Sequence, residues 1–301
     1  MQHKLYISIL LITTALSCNS FGQELYKYKD KNGRWVFSDK RPEETQQAES
    51  LTHIKPKETQ QRPKIYAQKC DNRHYLIADN PYHAPVEFRV VSSAFETGSK
   101  TYIVPSAKQE VLYENSAVMP PYRYAWQLGD PASMETNYLY SSPTPSKMLY
   151  EITQSFNGAF SHTDIQNNYA VDISMPVGTD ISAARDGIVI WTKDDYHMSG
   201  RTEYFLNKAN YVSILHEDGT YATYAHLLMG SIKVKPGDNV KVGDTLARSG
   251  SSGYSTGPHL HFVIRKNTGL KAVSIPFNFT DRNGIAFVPI EGMKIEGGIS
   301  P

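Results

Sequence analysis

The sequence predicts an almost entirely β protein, and three observations carry that expectation. Apolar residues recur with a period of two in short runs such as "PVEFRVVSS" and "KTYIVPS". Pro, Gly and Asn break these runs at short intervals, as turns between strands require. The i, i+3, i+4 spacing of an amphipathic helix is scarce throughout. With 301 residues, 40% of them hydrophobic and 20% charged, the chain has room for one full core and for a second. Its 31 Lys and Arg against 30 Asp and Glu form no long block of one sign. No electrostatic footprint for nucleic acid is present, and none is expected as a partner.

Residues 1–22 have the layout of a secretory signal peptide: one lysine, an apolar stretch from Leu5 to Leu16, then small residues. That stretch is too short to span a bilayer, so no transmembrane segment is expected. Cleavage after Gly22 or after Ser17 fits, and the first is favoured. Cys18 offers a second, less favoured reading as a lipid anchor, because lipoprotein signals place a leucine three residues before the cysteine, where this chain has Ala15. With Cys18 removed, Cys70 is the only thiol and no intramolecular disulfide forms.

Residues 24–46 read as a small β-hairpin domain of two short strands around Lys31-Asn32-Gly33, anchored by Tyr26, Tyr28, Trp35 and Phe37. The pattern resembles a short domain of unknown function found near the N-termini of many proteobacterial envelope proteins. Residues 47–64 are rich in Gln, Glu, Lys and Pro and are expected to be a linker. Residues 65–145 suggest a β-sandwich-like domain with Val86, Phe88 and Val90 on one inward face; "PPYRYAWQLGDP" is expected as its core and edge. Residues 146–285 hold another series of strands with Gly-rich turns, and residues 286–301 read as a tail with too few apolar positions to form anything alone.

The chemistry concentrates in 146–285. In "HLHFVI" the strand period sends His259, His261 and Val263 to one face and Leu260, Phe262 and Ile264 to the other. Two imidazoles on a face that does not pack point to metal binding or proton transfer. "YATYAHL" places Ala222, Tyr224 and His226 on a common face, and "NYAVDISM" turns Asp172 away from Val171 and Ile173. A carboxylate on a half-buried strand needs a partner. His162 lies in the preceding loop "FNGAFSHTD", and two histidines with one aspartate from separate elements are a plausible three-ligand zinc set that leaves a fourth position for water. Asn210 and Tyr224 neighbour these residues by strand order and could position a substrate amide; structural hydrogen bonding is an equal alternative. His216 reads as a strand-end residue. His197 falls in a charged stretch that is either a solvated loop or a groove lining.

Taken together, "FNGAFSHTDIQNNYAVDISMPVGTD", "YATYAHL" and "GSSGYSTGPHLHFVI" resemble the lysostaphin-type (LytM-like) zinc metallopeptidases across residues 150–265. The resemblance implies a β-sheet, barrel-like metallopeptidase domain with zinc held by His162, Asp172 and His261, and with His226 and His259 as catalytic histidines. The short form of the family separates its His and Asp by four residues; here Asp172 follows His162 by ten, as in the long-loop subgroup. The resemblance further implies an endopeptidase that cuts peptide cross-links of peptidoglycan through a metal-activated water. The best-fitting bond is the D,D cross-link between D-Ala and diaminopimelate. It implies an exported protein of the periplasm or cell envelope of a Gram-negative bacterium, or one secreted. The alternative within the same fold is a non-catalytic activator of a cell-wall amidase, which lacks the ligands kept here. "VKPGDNVKVGDTLA" is also similar to the hairpins of biotinyl and lipoyl carriers, but no lysine stands in the following turn "RSGSSGYSTG", so that kinship stops at the scaffold.

Overall fold

A computed structural model describes residues 61–297 except 117, 146, 147 and 282, together with the backbone of three earlier strands. The expected signal peptide with Cys18, residues 52–60 and the side chains of Tyr26, Tyr28, Trp35 and Phe37 lie outside the described residues.

The chain divides at about residue 60 into two compact units. In the first, Leu25–Lys29 pairs antiparallel with Trp35–Ser38 and, on its other side, with Glu49–Leu51. The hairpin lies where the Lys-Asn-Gly turn predicts it. The third strand falls in the stretch expected to be a linker. A composition too polar to form a core can still supply backbone donors and acceptors to an existing sheet edge.

In the second unit, residues 64–128 form two three-stranded antiparallel sheets. Arg73–Asn80 lies between Lys64–Cys70 and Lys108–Asn115, and Val86–Ser92 lies between Ser99–Val104 and Tyr122–Leu128. Val86, Phe88 and Val90 are fully buried, as their alternation predicts, and pack with Ile65, Leu76 and Leu128. The same core includes Ile190 and Tyr221 from the next sheet, and Tyr82 meets both Trp126 and Trp191 edge to face. Buried Glu87 accepts bonds from Asn267 Nδ2 and Leu270 N, both at 2.7 Å. These contacts pack the small sheets against the next one through a core of their own, distinct from the apolar cluster within the largest sheet.

The largest sheet has nine strands, all antiparallel. Its path runs Asn239–Val240, Gly187–Lys193, Tyr211–Leu215, Tyr221–Ala225, His259–Asn267, Val171–Ser174, Leu149–Gln154, Lys294–Glu296, with Ala272–Ser274 added beside His259–Asn267. Leu260, Phe262, Ile264, Val171, Ile173, Ala222 and Tyr224 fill one face at 0% exposure, so the alternate positions are left for the site. Residues 286–297, expected as a tail, contribute two strands: Ala286–Phe287 pairs with Asn278–Thr280, and Lys294–Glu296 closes one sheet edge with Ile295 buried. One apolar residue suffices there because the backbone pairs with a formed edge. The only helical element among the described residues is a single 3-10 turn, Glu203–Phe205, so no described helix is long and apolar enough to cross a membrane.

Candidate metal centre and cleft

Sheet register brings the candidate ligands together. Asp172 faces His261 directly across one strand pair, Ser174 faces His259, and Ala225 faces His261 from the opposite side. Non-adjacent in sequence, these residues become neighbours because directly opposed residues in an antiparallel pair stand about 4.5–5.5 Å apart. His162 arrives from the loop between Leu149–Gln154 and Val171–Ser174, and the ligand atoms of His162, Asp172 and His261 all lie within 4.8 Å of one another.

Gln154 holds that loop. Its Oε1 accepts from Phe160 N and Ser161 N, while its Nε2 donates to Ser161 Oγ at 2.7 Å and to Asp172 Oδ2 at 3.1 Å. Gly158 packs against it so closely that any Cβ there would collide with the Gln154 side chain. One amide therefore fixes both the histidine loop and one oxygen of the carboxylate.

The other oxygen decides what the site can hold. His162 Nδ1 donates to Ser155 O at 2.9 Å, which leaves Nε2 as a bare lone pair facing Asp172 Oδ1 at 3.3 Å. His261 Nε2 donates to Asn167 Oδ1 at 3.3 Å, which leaves its Nδ1 facing the same oxygen at 2.8 Å. Two lone pairs aimed at one carboxylate oxygen repel unless a cation sits among them. A tetrahedral zinc with bonds of about 2.0–2.2 Å spaces its donors about 3.3–3.5 Å apart. The set of two imidazole nitrogens and a carboxylate fits such an ion in chemistry; the His162–Asp172 pair already has that spacing, whereas the His261–Asp172 pair at 2.8 Å is closer.

The remaining two histidines present the same tautomer. His226 Nδ1 donates to Ser252 O at 2.7 Å and His259 Nδ1 donates to Gly257 O at 2.8 Å, so each turns Nε2 inward. Their rings lie 4.6 Å apart, and His259 Nε2 is 3.8 Å from Asp172 Oδ1. His226 reaches this place because it adopts φ +63, breaking the strand just after Ala225 and swinging its side chain to the cleft face.

Charge in the cluster follows from burial and partners. Burial alone would raise Asp172, but the close approach of the His162 and His261 imidazoles and the attraction of His261 and His259 outweigh it and hold the carboxyl well below its usual range. Burial pushes the His162 pKa down, yet the neighbouring Asp172 carboxylate and the Ser155 carbonyl leave the net shift upward. Burial, aided by repulsion from His259 and His261, pushes His226 down to about 3, so it is a neutral base at physiological pH. His261 is lowered by burial against the pull of Asp172.

All five histidine and aspartate candidates converge, and Asp172, His226, His259 and His261 line a cleft of about 730 Å³. The two substrate-binding candidates do not join them. Tyr224 is fully buried on the core side, with Ala184 N donating to its hydroxyl at 2.8 Å. The common face expected for Tyr224 and His226 is lost because the positive φ at His226 breaks the alternation. Asn210 is also fully buried: its Oδ1 accepts from Asp195 N and Tyr196 N, and its Nδ2 donates to Tyr196 O and Leu227 O. Its amide has no capacity left for a substrate. His216 is a buried strand-end residue, as its position suggests, and His197 is exposed outside the cleft lining. Three residues escaped the sequence reading: Gln154, Asn167 and Arg265. Gln154 follows buried Tyr150 and Ile152 on one strand face, and Arg265 shares the parity of His259 and His261. A polar residue on an apolar stripe and a charge on the histidine face were the available signals. Asn167, in a loop, left none.

The sheet gathers two imidazoles and a carboxylate beneath two more histidines, and a family match falls on the same strands. Peptidase family M23 matches residues 166–273, a span that holds Asp172, His226, His259 and His261 and begins just after His162. The match is confined to that span and does not extend over the rest of the chain. The domain of unknown function DUF4124 matches residues 12–65. The glycyl-glycine endopeptidase ALE-1 of Staphylococcus capitis is 40% identical over 103 residues, covering 34% of this chain and 25% of its own. The peptidoglycan DD-endopeptidase ShyA of Vibrio cholerae is 35% identical over 93 residues, covering 31% and 19%. The solved catalytic domain of a mutant of the prophage-encoded M23 protein EnpA from Enterococcus faecalis is 28% identical, covers 44% of this chain and 92% of that one, and superposes with a TM-score of 0.34. The chain spans under a third of the length of these two curated relatives.

Proposed function

We propose that the protein is an exported zinc metalloendopeptidase that hydrolyses peptide cross-links of peptidoglycan, with the D,D bond between D-Ala and diaminopimelate as its substrate. The observation that supports this most is the pair of imidazole lone pairs, His162 Nε2 and His261 Nδ1, aimed at Asp172 Oδ1 in a cleft that also holds two further histidines. His162, Asp172 and His261 would hold the metal, and zinc bound there supplies Lewis-acid chemistry toward water and the scissile carbonyl. His226 and His259 hold their imidazoles by Nδ1–H donation to backbone carbonyls, so each Nε2 is free to accept a proton from an attacking water. Once protonated, the same nitrogen donates to the tetrahedral oxyanion or to the leaving amine.

Digestion of purified peptidoglycan, with mass analysis of the fragments, tests this. Zinc-loaded protein is expected to convert cross-linked dimers to monomers by hydrolysis of the D,D bond, and metal-stripped protein is not. Intact dimers after prolonged digestion with the zinc-loaded protein contradict the proposal. Cleavage that appears only when a cell-wall amidase is added would support the non-catalytic alternative instead.

A further inference from the structure

Arg265 is the one lysine or arginine among the described residues that line the cleft. It lies on the strand His259–Asn267, at the same parity as His259 and His261, and lines the same cleft half-buried. Its guanidinium is held by three neutral acceptors: Nε donates to Gln166 O at 2.7 Å, one terminal nitrogen to Asn167 Oδ1 at 2.6 Å and the other to Thr223 Oγ1 at 3.3 Å. A guanidinium carries five N–H groups, so two remain for a ligand. Among the described residues no carboxylate lies within ion-pair distance of it, whereas Arg73, Arg185 and Arg248 each have one. Asp164 is nearby, but its oxygens accept from Gln166 N and Asn167 Nδ2 within its own turn. Burial pushes the Arg265 pKa down, as expected of a cation without a bound anion.

We propose that Arg265 is a specificity-determining residue that binds a free carboxylate on the substrate residue next to the scissile bond. This rests on the endopeptidase reading and deepens it. The position is set by a short relay: Asn167 Oδ1 accepts from both Arg265 and His261 Nε2, so the guanidinium is two hydrogen bonds from an imidazole of the ligand cluster. Consecutive Cα atoms are about 3.8 Å apart, so an anion on Arg265 belongs to a residue flanking the bond at that cluster. A diamino dicarboxylic acid acylated at one amine meets this demand, because its free carboxylate is borne on the carbon bonded to the scissile nitrogen. An internal glycine bridge has no such group. The pre-held, planar fork of an arginine suits a carboxylate in two-point contact.

The test uses dimers released from peptidoglycan, with the acceptor carboxylate either free or converted to a primary amide. The wild-type protein is expected to cleave the free acid with kcat/KM at least about tenfold above the amide. Arg265→Gln should bring the ratio close to one, mainly by losing activity on the acid. If that variant does not fold, Thr223→Asp serves: it sets a carboxylate beside the guanidinium without removing it and should also collapse the ratio. Equal wild-type rates on acid and amide overturn the subsite and leave the peptidase reading intact. A wild-type preference that survives in Arg265→Gln, or in folded Thr223→Asp, overturns it too, since a merely structural clamp predicts no dependence on the substrate carboxylate. Failure to cleave either dimer overturns the peptidase reading itself.

Discussion

Gln154→Leu isolates the outer support of the metal centre while leaving every proposed ligand in place. Leucine keeps the apolar stem, one atom shorter, but neither donates to Asp172 Oδ2 nor accepts from Phe160 N and Ser161 N, all of which Gln154 does. A hydrogen bond to a charged group contributes about 1.5–3 kcal/mol. At about 1.4 kcal/mol per factor of ten, zinc affinity should fall roughly 10- to 100-fold, the range found for partners of metal ligands elsewhere. The loop that carries His162 also loses its acceptor for two backbone N–H groups, so the melting temperature should drop as well. Competition with a chromophoric chelator measures the affinity, and circular dichroism confirms the fold. Zinc affinity within about twofold of wild type in a folded variant would refute the claim that Gln154 orients the carboxylate.

Three further outcomes follow from buried polar groups. His216 donates from Nδ1 to Asp186 O while its Nε2 is buried without a partner, and burial pushes its pKa from 6.5 to about 4. The unfolded chain therefore binds a proton below about pH 6.5 that the folded protein refuses until about pH 4. Stability is present above that window and falls as pH drops through it, by about 3 kcal/mol. Urea unfolding should show this loss in wild type and its absence in His216→Leu; parallel pH profiles contradict it. Asn210→Ala, which removes two donors and two acceptors from the wall behind His226, should cost about 2–4 kcal/mol in urea unfolding and leave KM unchanged. A raised KM at unchanged stability would restore Asn210 as a substrate contact. Asp218→Ala leaves Arg185 as an uncompensated buried charge, because that carboxylate accepts from Arg185, Thr136 and Thr220, and should cost about 3–5 kcal/mol by the same measurement.

The sequence made the strand faces legible where alternation is uninterrupted. "HLHFVI" separates three fully buried apolar residues from two histidines, and Asp172 sits opposite Val171 and Ile173 as its period requires. Alternation failed at His226, where a single residue in the left-handed region carried the histidine to the cleft face while Tyr224 stayed with Ala222 on the core face, opposite Phe262. No propensity marks that break; the turned side chain is held by the bond from His226 Nδ1 to Ser252 O, a loop residue distant in sequence. Segments with few apolar residues misled for a different reason. Glu49–Leu51 and Lys294–Glu296 are held by pairing with an existing edge, a tertiary effect that local composition cannot report. The residues that tune the centre, Gln154 and Asn167, act through geometry set by loops and cross-strand register, so their identity alone said little.

The central claim is that the two histidines of "HLH" do different work. Zinc content and dimer cleavage measured together on purified wild type, His259→Ala and His261→Ala test it most directly. His259→Ala is expected to keep one zinc per chain and lose cleavage, whereas His261→Ala is expected to lose both. Full zinc occupancy in His261→Ala, or undiminished cleavage by His259→Ala, would contradict the assignment.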